Sequence, residues 1–177
     1  MTPRPVLLAM NNPVSGDPEH ALYPHPPGCA GHRLKEMFWE SARDAGVLPD
    51  AGAARREYLR VFDRRNVLSA REWSARDARE AGARLLPQLA GRTAVVLGVQ
   101  TLAALGLPRP HWGCWIEWQQ LGDPAPIRYT ALPHPSGRCR EYNDPAMRRA
   151  AGLLLLGLYL GARGEGTVAR PAEPAAG

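Results

Sequence analysis

The chain has 177 residues, of which 45% are hydrophobic, and a formal net charge of +5. The length suits one domain of ordinary size, and this hydrophobic content is enough to form a core. The three widely spaced cysteines argue against a disulfide framework, and the longest apolar run, GLLLLGLYLGA, is too short to span a membrane. We expect a cytoplasmic monomer with one domain over residues 1–163 and a disordered tail over residues 164–177.

Arginine supplies nearly all of the positive charge, since Lys35 is the only lysine. The planar guanidinium group suits phosphate, so the composition favours a nucleic-acid partner. A GC-rich genome would produce the same composition, and charge alone therefore decides nothing.

Strand-like and helix-like segments alternate along the chain. In order we predict a strand at 5–10, a proline-rich loop at 11–28, a helix at 29–46, a linker at 47–54, a helix end and short strand within 58–68, a helix at 69–89, a strand at 91–98, a helix from 99, a strand at 127–132 and a helix from 144 to about 161. Ser69 is the expected N-cap of the helix at 69–89, and Asp144 that of the last helix. The alternation predicts a three-layer α/β/α sandwich around a central, mainly parallel four-stranded sheet.

Two polar loops follow predicted strands, MNNPVSGDPEHALYP after the first and PHPSGRCREYN after the last. Ligands of parallel α/β sheets bind at the carboxyl ends of the strands. The two loops are therefore expected to face each other across one edge of the sheet.

In the second loop, His134 lies between two prolines that restrict its backbone. Its imidazole can stabilise negative charge or transfer a proton. Ser136 and the amides around Gly137 can cradle a phosphate, to which Arg138 and Arg140 can add positive charge. A stiff surface turn would explain the same residues without chemistry.

In the first loop, Asn11 and Asn12 directly follow a buried strand. An asparagine amide there can orient a water molecule or bind a polar ring, or it can end the strand in an Asx turn. Tyr23 can stack on a planar ligand or pack on the prolines of its own loop.

These motifs, taken in order from Val6 to Gly161, resemble those of the uracil-DNA glycosylase superfamily. AMNNP is similar to the first active-site motif of the family, G-M-N-P or G-E-A-P-G, and HPSG to the second, H-P-S-P or N-P-S-G. Between them, YPHPPGCAGHRLKEM resembles the segment that carries the stacking aromatic residue. RNVLS and TAVVLGVQTLAALGL resemble the asparagine-bearing strand end and the LG-x-x-A strand and helix.

The resemblance implies a DNA glycosylase that needs no cofactor and removes a base flipped out of the stack. It implies that Asn11 or Asn12 positions the hydrolytic water. The aspartate that some members carry is missing from this motif. Asp17 and Glu19 in the same loop are the candidates to replace it in activating water.

The resemblance also implies roles for the remaining loop residues. Tyr23, or else His25, would stack on the flipped base, Asn66 would read its Watson–Crick edge, and His134 would stabilise the leaving base.

Ser136 and Gly137 would grip a phosphate beside the flipped nucleotide. Arg138, with Cys139 and Arg140, would fill the gap left in the stack. The four cysteines of the iron–sulfur branch of the family are absent, so we expect no cluster.

Uracil is the default substrate, and a modified pyrimidine such as hydroxymethyluracil is the main alternative. A glycosylase-like module that binds modified or single-stranded DNA without cleaving it, and a hydrolase of free nucleosides, are the competing functions.

Two further patterns stay open at this point. The segment H-x4-H-x3-C-x2-H, which starts at His20, carries zinc-binding side chains, but its prolines make a tetrahedral site hard to close and we expect no metal. Trp112, Trp115 and Trp118 are spaced by three and would share one helical face in the core, or else form a stacking platform.

Overall fold

The computed structural model describes residues 3–12, 14–119, 121–137 and 139–164. Its strands are β1 (Val6–Asn11), β2 (Asp63–Leu68), β3 (Thr93–Leu97), β4 (Ile116–Trp118) and β5 (Ile127–Leu132). Its α-helices are α1 (Ala30–Asp44), α2 (Ala51–Val61), α3 (Ala75–Leu85), α4 (Val99–Leu105) and α5 (Pro145–Arg163). Short 3-10 turns lie at Pro18–His20, Leu86–Leu89 and Glu141–Asn143.

The five strands form one mixed sheet in the order β2-β1-β3-β5-β4. β1 pairs in parallel with β2 and β3, and β3 pairs in parallel with β5, while β4 runs antiparallel to β5. Helices cover both faces, which confirms the predicted α/β/α class. The sheet has one strand more than the four predicted, because β4 extends its edge.

The sheet separates two hydrophobic cores because the side chains of a strand alternate between its faces. Leu7 and Ala9 of β1 face the core under α1, α2 and α5, whereas Val6 and Leu8 face the core under α3 and α4. The first core is built around aromatic contacts, with the ring centroid of Phe38 5.3 Å from that of Tyr159.

The tryptophan segment does not form the predicted helical face. Residues 111–114 form a turn, in which the Cys114 amide donates to the His111 carbonyl oxygen and Gly113 has a φ of 79°. A helix cannot continue through Gly113, because this residue is in the left-handed conformation. The chain that follows pairs with β5 as strand β4 and so extends the sheet. Trp112 and Trp118 still pack against the core under α3 and α4, as the core interpretation predicted, whereas Trp115 is not among the residues of that core.

Two helix starts differ from the predicted ones. α2 begins inside the predicted linker, where the Asp50 carboxylate accepts a hydrogen bond from the Ala53 amide at 2.7 Å. α3 begins at Ala75, so Ser69 is not its N-cap. Ser74 caps it instead, in a reciprocal capping box with Asp77, and the residues from Ser69 onward form a loop after β2.

The start of the last helix is confirmed, since Asp144 is its N-cap and its carboxylate accepts from the Ala146 amide at 2.9 Å. α5 ends at Arg163, two residues later than predicted, with Gly164 in the left-handed conformation as its C-cap. The rest of the predicted tail, residues 165–177, lies outside the described residues. Among the residues described, no helix is long and apolar enough to cross a membrane.

The capping box of α3 gives the first prediction. Ser74→Ala should lower the free energy of unfolding by about 1 kcal/mol, because the Asp77 amide loses its acceptor, the Ser74 hydroxyl oxygen. Ser69→Ala, at the exposed position first expected to be the cap, should change it by less than about 0.5 kcal/mol. Urea denaturation of both variants measures this difference, and an equal cost at the two serines would contradict the helix start.

Candidate functional site

One cavity of about 480 Å³ lies at the carboxyl ends of β1, β2 and β5. Both polar loops contribute to its wall. Most of the site residues expected from the sequence line it, namely Asn11, Asn12, Tyr23, His25, Asn66, His134, Ser136 and Gly137. Asn11 and Gly137, which are 126 positions apart in the chain, thus line the same cavity.

The two asparagines of the first loop make different contacts. Asn12 uses both ends of its amide within the loop, since Oδ1 accepts from the Val14 amide at 2.9 Å and Nδ2 donates to the His20 carbonyl at 3.1 Å. Asn11 donates through Nδ2 to the carbonyls of Ala70 and Arg71, at 3.2 and 3.3 Å. Its Oδ1 has no hydrogen-bond partner among the described residues. Asn11 is therefore the asparagine with an acceptor to offer a ligand or a water molecule.

Tyr23 is held in place by the chain on either side of it. Leu22 has a φ of 47°, and its carbonyl oxygen accepts from the buried hydroxyl of Tyr58 at 3.1 Å. Gly31 of α1 lies against the same turn, and a Cβ there would approach the carbonyl oxygens of Leu22 and Tyr23 to 2.2 and 2.4 Å. The Tyr23 hydroxyl accepts from Arg55 at 3.1 Å. The ring is thus fixed at the cavity wall by the backbone and by its own hydroxyl.

Asn66 enters the cavity from β2, where it pairs in register with Ala9 of β1. Its side-chain amide has no hydrogen-bond partner in the described part of the chain. A free amide offers one acceptor and two donors in a plane, as recognition of a heterocyclic base edge requires.

His134 follows β5, and its loop is tied down on both sides. The Gly98 amide donates to the Leu132 carbonyl at 2.8 Å, and the Tyr142 hydroxyl donates to the Pro133 carbonyl at 2.7 Å. A Cβ at Gly98 would lie 3.0 Å from the Cβ of His134, and Gly98 has a φ of 86°. Glycine is therefore required at position 98 both by its backbone conformation and by the proximity of the histidine.

Burial lowers the pKa of the His134 imidazole below its ordinary value of 6.5. His134 is consequently neutral at pH 7. A neutral imidazole donates one hydrogen bond and accepts another, so His134 can stabilise an anion as a dipole rather than as a cation.

The second half of the loop forms two consecutive tight turns. The Ser136 amide donates to the His134 carbonyl at 2.8 Å, and the Cys139 amide donates to the Ser136 carbonyl at 3.1 Å. Arg33 of α1 donates to the same Ser136 carbonyl at 3.2 Å. Sequence reasoning missed Arg33, because no local pattern links it to a loop more than 100 residues away.

The sequence predicted that two arginines of this loop, Arg138 and Arg140, contact DNA. Arg138 lies outside the described residues. Arg140 is exposed at the start of the 3-10 turn Glu141–Asn143 and does not line the cavity. Arg33 is therefore the guanidinium group that the described part of the chain holds against the Ser136–Gly137 turn.

Asp17 also lies outside this cavity. Its carboxylate caps the 3-10 turn Pro18–His20 by accepting from the Glu19 amide at 3.0 Å, and it lines a neighbouring cavity of about 460 Å³. None of the described residues that line the Asn11–His134 cavity is an aspartate or a glutamate. The expected replacement for the missing family carboxylate is therefore not at the cavity wall.

Two residues of the histidine and cysteine segment, Cys29 and His32, make separate local contacts. Cys29 is the N-cap of α1 and donates through Sγ to the Tyr23 carbonyl at 3.3 Å. His32 accepts from the Gly28 amide through Nδ1 at 3.3 Å. Within the described ranges, no three His, Cys, Asp or Glu side chains lie close enough together to hold a metal ion.

The contact between Gly98 and His134 can be tested with a matched glycine. Gly106 also has a positive φ, of 67°, but a Cβ there would meet no atom within 4 Å. Gly106→Ala should cost about 1 kcal/mol of stability through backbone strain alone. Gly98→Ala should cost more and should also displace His134, which would move its pKa toward the ordinary value.

NMR titration of the histidine ring protons measures this effect. The His134 pKa is expected below 6.5 in the wild type and in Gly106→Ala, and raised in Gly98→Ala. An identical titration in all three proteins would contradict the proposed packing of His134 against Gly98.

A comparison with protein-family models and with curated proteins found no match for this chain. The function of the protein is therefore inferred from the residues of the cavity and from the motifs to which they belong.

Proposed function

We propose that this protein is a monofunctional DNA glycosylase, which hydrolyses the N-glycosidic bond of uracil or of a modified pyrimidine and leaves an abasic site. The observation that carries the proposal is the convergence of Asn11, Tyr23, Asn66 and His134 on one cavity at the strand ends. Each of these residue types has a distinct task in such a reaction.

The cavity suits a flipped pyrimidine nucleoside. Its volume of about 480 Å³ lies within the usual range of small-molecule pockets and leaves room for a substituent on the base. Tyr23 supplies an aromatic face for stacking. The Asn66 amide can accept from N3–H and donate to O4 of a uracil-like ring, which is the pairing that distinguishes such a base from cytosine.

In the proposed reaction, the bond between C1′ of the sugar and N1 of the base breaks, and its electron pair leaves with the base. His134 donates a hydrogen bond to the oxygen on which the negative charge develops. The water oxygen, held by Oδ1 of Asn11, bonds to C1′, and the water proton that is released neutralises the departing base. The products are the free base and an abasic sugar.

In this proposal, residues at the rim of the cavity bind the DNA backbone. The Ser136–Gly137 turn and the Arg33 guanidinium lie together at its rim and offer the Gly137 amide and positive charge to a phosphate. A phosphate held there would secure the flipped nucleotide, whose glycosidic bond is inaccessible within a stacked duplex. The net charge of +5 would steer the protein to DNA.

A second function has one specific observation in its favour. No described residue lining the cavity carries a carboxylate that could activate water. A module that binds a flipped base without releasing it would need Tyr23 and Asn66 but neither the water nor a stabiliser of the leaving base.

Base release from defined oligonucleotides separates the two functions. Labelled single strands and duplexes carrying uracil, hydroxymethyluracil and other modified pyrimidines are incubated with the protein and cleaved with alkali. Strand breaks at the modified position are expected. Tight binding without abasic sites across the whole panel would exclude the enzyme and establish the binding module.

The roles of the cavity residues give a third prediction. His134→Ala and Asn66→Ala should each slow base release by more than about tenfold, because one loses stabilisation of the leaving base and the other its recognition. Asp17→Asn is the matched control and should leave the rate unchanged, because Asp17 lies outside this cavity. Circular dichroism verifies that all three variants fold, and unchanged rates in both cavity variants would refute the site.

The neutral state of His134 gives a fourth prediction. Because burial lowers its pKa, the imidazole stays neutral to a lower pH than an ordinary histidine, whose pKa is about 6.5. The rate of base release should therefore fall to half of its value only below about pH 6.5. A rate that rises steadily as the pH drops from 8 to 6 would show that the cationic form of His134 is the active one.

A further inference from the structure

A second concave surface adjoins the catalytic cavity on the other side of His134. This groove, of about 580 Å³, lies at the carboxyl ends of β3 and β5. It shares Asn11, His134 and Ser136 with the Asn11–His134 cavity. The proposed reaction assigns no role to this groove. Its remaining wall comes from the start of α4 and from the tryptophan segment that precedes β4.

The groove combines apolar surface with one cationic group. Val99 at the start of α4 is 44% exposed, although it is a large aliphatic residue. Trp112 is partly buried and rests on the core under α3 and α4. The exposed guanidinium of Arg109 lies over the Trp112 ring, with Cζ 5.0 Å from the ring centroid. Glu141 at the far rim is the acidic residue of this wall.

This set of side chains fits a nucleotide. An indole ring and an aliphatic side chain give a base a surface for stacking, and a guanidinium can pair with a phosphate or stack on the base itself. A substrate strand already held at Ser136 must continue past one side of His134. The groove begins at these same residues, so the next nucleotide of the strand can reach it without leaving the protein surface.

We propose that this groove is a second nucleotide subsite, which holds the neighbour of the flipped nucleotide in single-stranded DNA, with Trp112 and Arg109 as its main contacts. The inference rests on the proposed function, because it takes the first cavity to hold the flipped base. A single strand is required since Trp112 is recessed, and only a base free of its neighbours in the stack can reach it.

The chain contains a matched control for this contact. Trp115 is also partly buried beneath an arginine, with Cζ of Arg128 4.7 Å from its ring centroid, but it does not line the groove. Replacing Trp115 removes the same side chain and the same kind of cation–π pair at a site where no nucleotide is expected.

The test measures binding without chemistry. Fluorescence anisotropy follows the full chain binding a labelled single strand whose central nucleotide is a stable abasic analogue, so that no base can be released there. Trp112→Ala should weaken binding by about fivefold or more, the effect of losing one stacked base. Trp112→Phe should retain most of the affinity, Arg109→Gln should weaken it, and Trp115→Ala should change it by less than about twofold. The corresponding duplex should show no dependence on Trp112.

Equal losses in the Trp112→Ala and Trp115→Ala variants, or equal losses on single strand and duplex, would overturn the subsite. Arg109→Gln keeps the test decisive if Trp112→Ala does not fold, because Arg109 is exposed and lies outside the core. Base release by the wild type is measured separately. If the wild type releases bases but the Trp112 and Arg109 variants bind single strands as tightly as the wild type, the subsite alone is refuted. Affinity that depends on them without any base release would refute the enzyme and leave the groove as a single-strand binding surface.

Discussion

The parallel pairing of β1 with both β2 and β3 is the constraint on which the site depends. Backbone hydrogen bonds fix this register, and a slip of one residue would turn every side chain to the opposite face. In the observed register Ala9 lies beside Asn66, and Leu97 at the end of β3 lies beside Leu132 of β5. The pairing thus brings Asn66, the loop after β1 and the loop after β5 to the same edge. Sheet stability and site geometry are therefore set by the same hydrogen bonds.

The fold and the membership of the cavity were largely predictable from the sequence, because both follow from short-range patterns. Apolar runs mark β1, β3 and β5, and polar residues directly after them mark the edge where ligands bind. The start of α3 was not predictable. Ser69 and Ser74 offer the same local cap, and the choice depends on where β2 ends and how the following loop meets β1.

Other features depended on contacts between distant parts of the chain. Asn11 and Asn12 are indistinguishable as neighbours in sequence, but the carbonyls of residues 70 and 71 bind only the first. Arg33 reaches the Ser136 carbonyl across 103 positions. The spacing of the tryptophans predicted a helix. The segment instead forms a strand that pairs with β5, because this pairing extends an existing sheet.

The hydrogen bonds of Asn11 have a consequence for how this protein can change over evolutionary time. Its amide binds the backbone carbonyls of Ala70 and Arg71, which every amino acid supplies, rather than their side chains. The amino acids at these two positions can therefore be substituted during evolution, whereas the path of the loop backbone must be kept. Substitutions there should accumulate silently, whereas insertion or deletion of a single residue between β2 and α3 would release Asn11 from the cavity wall.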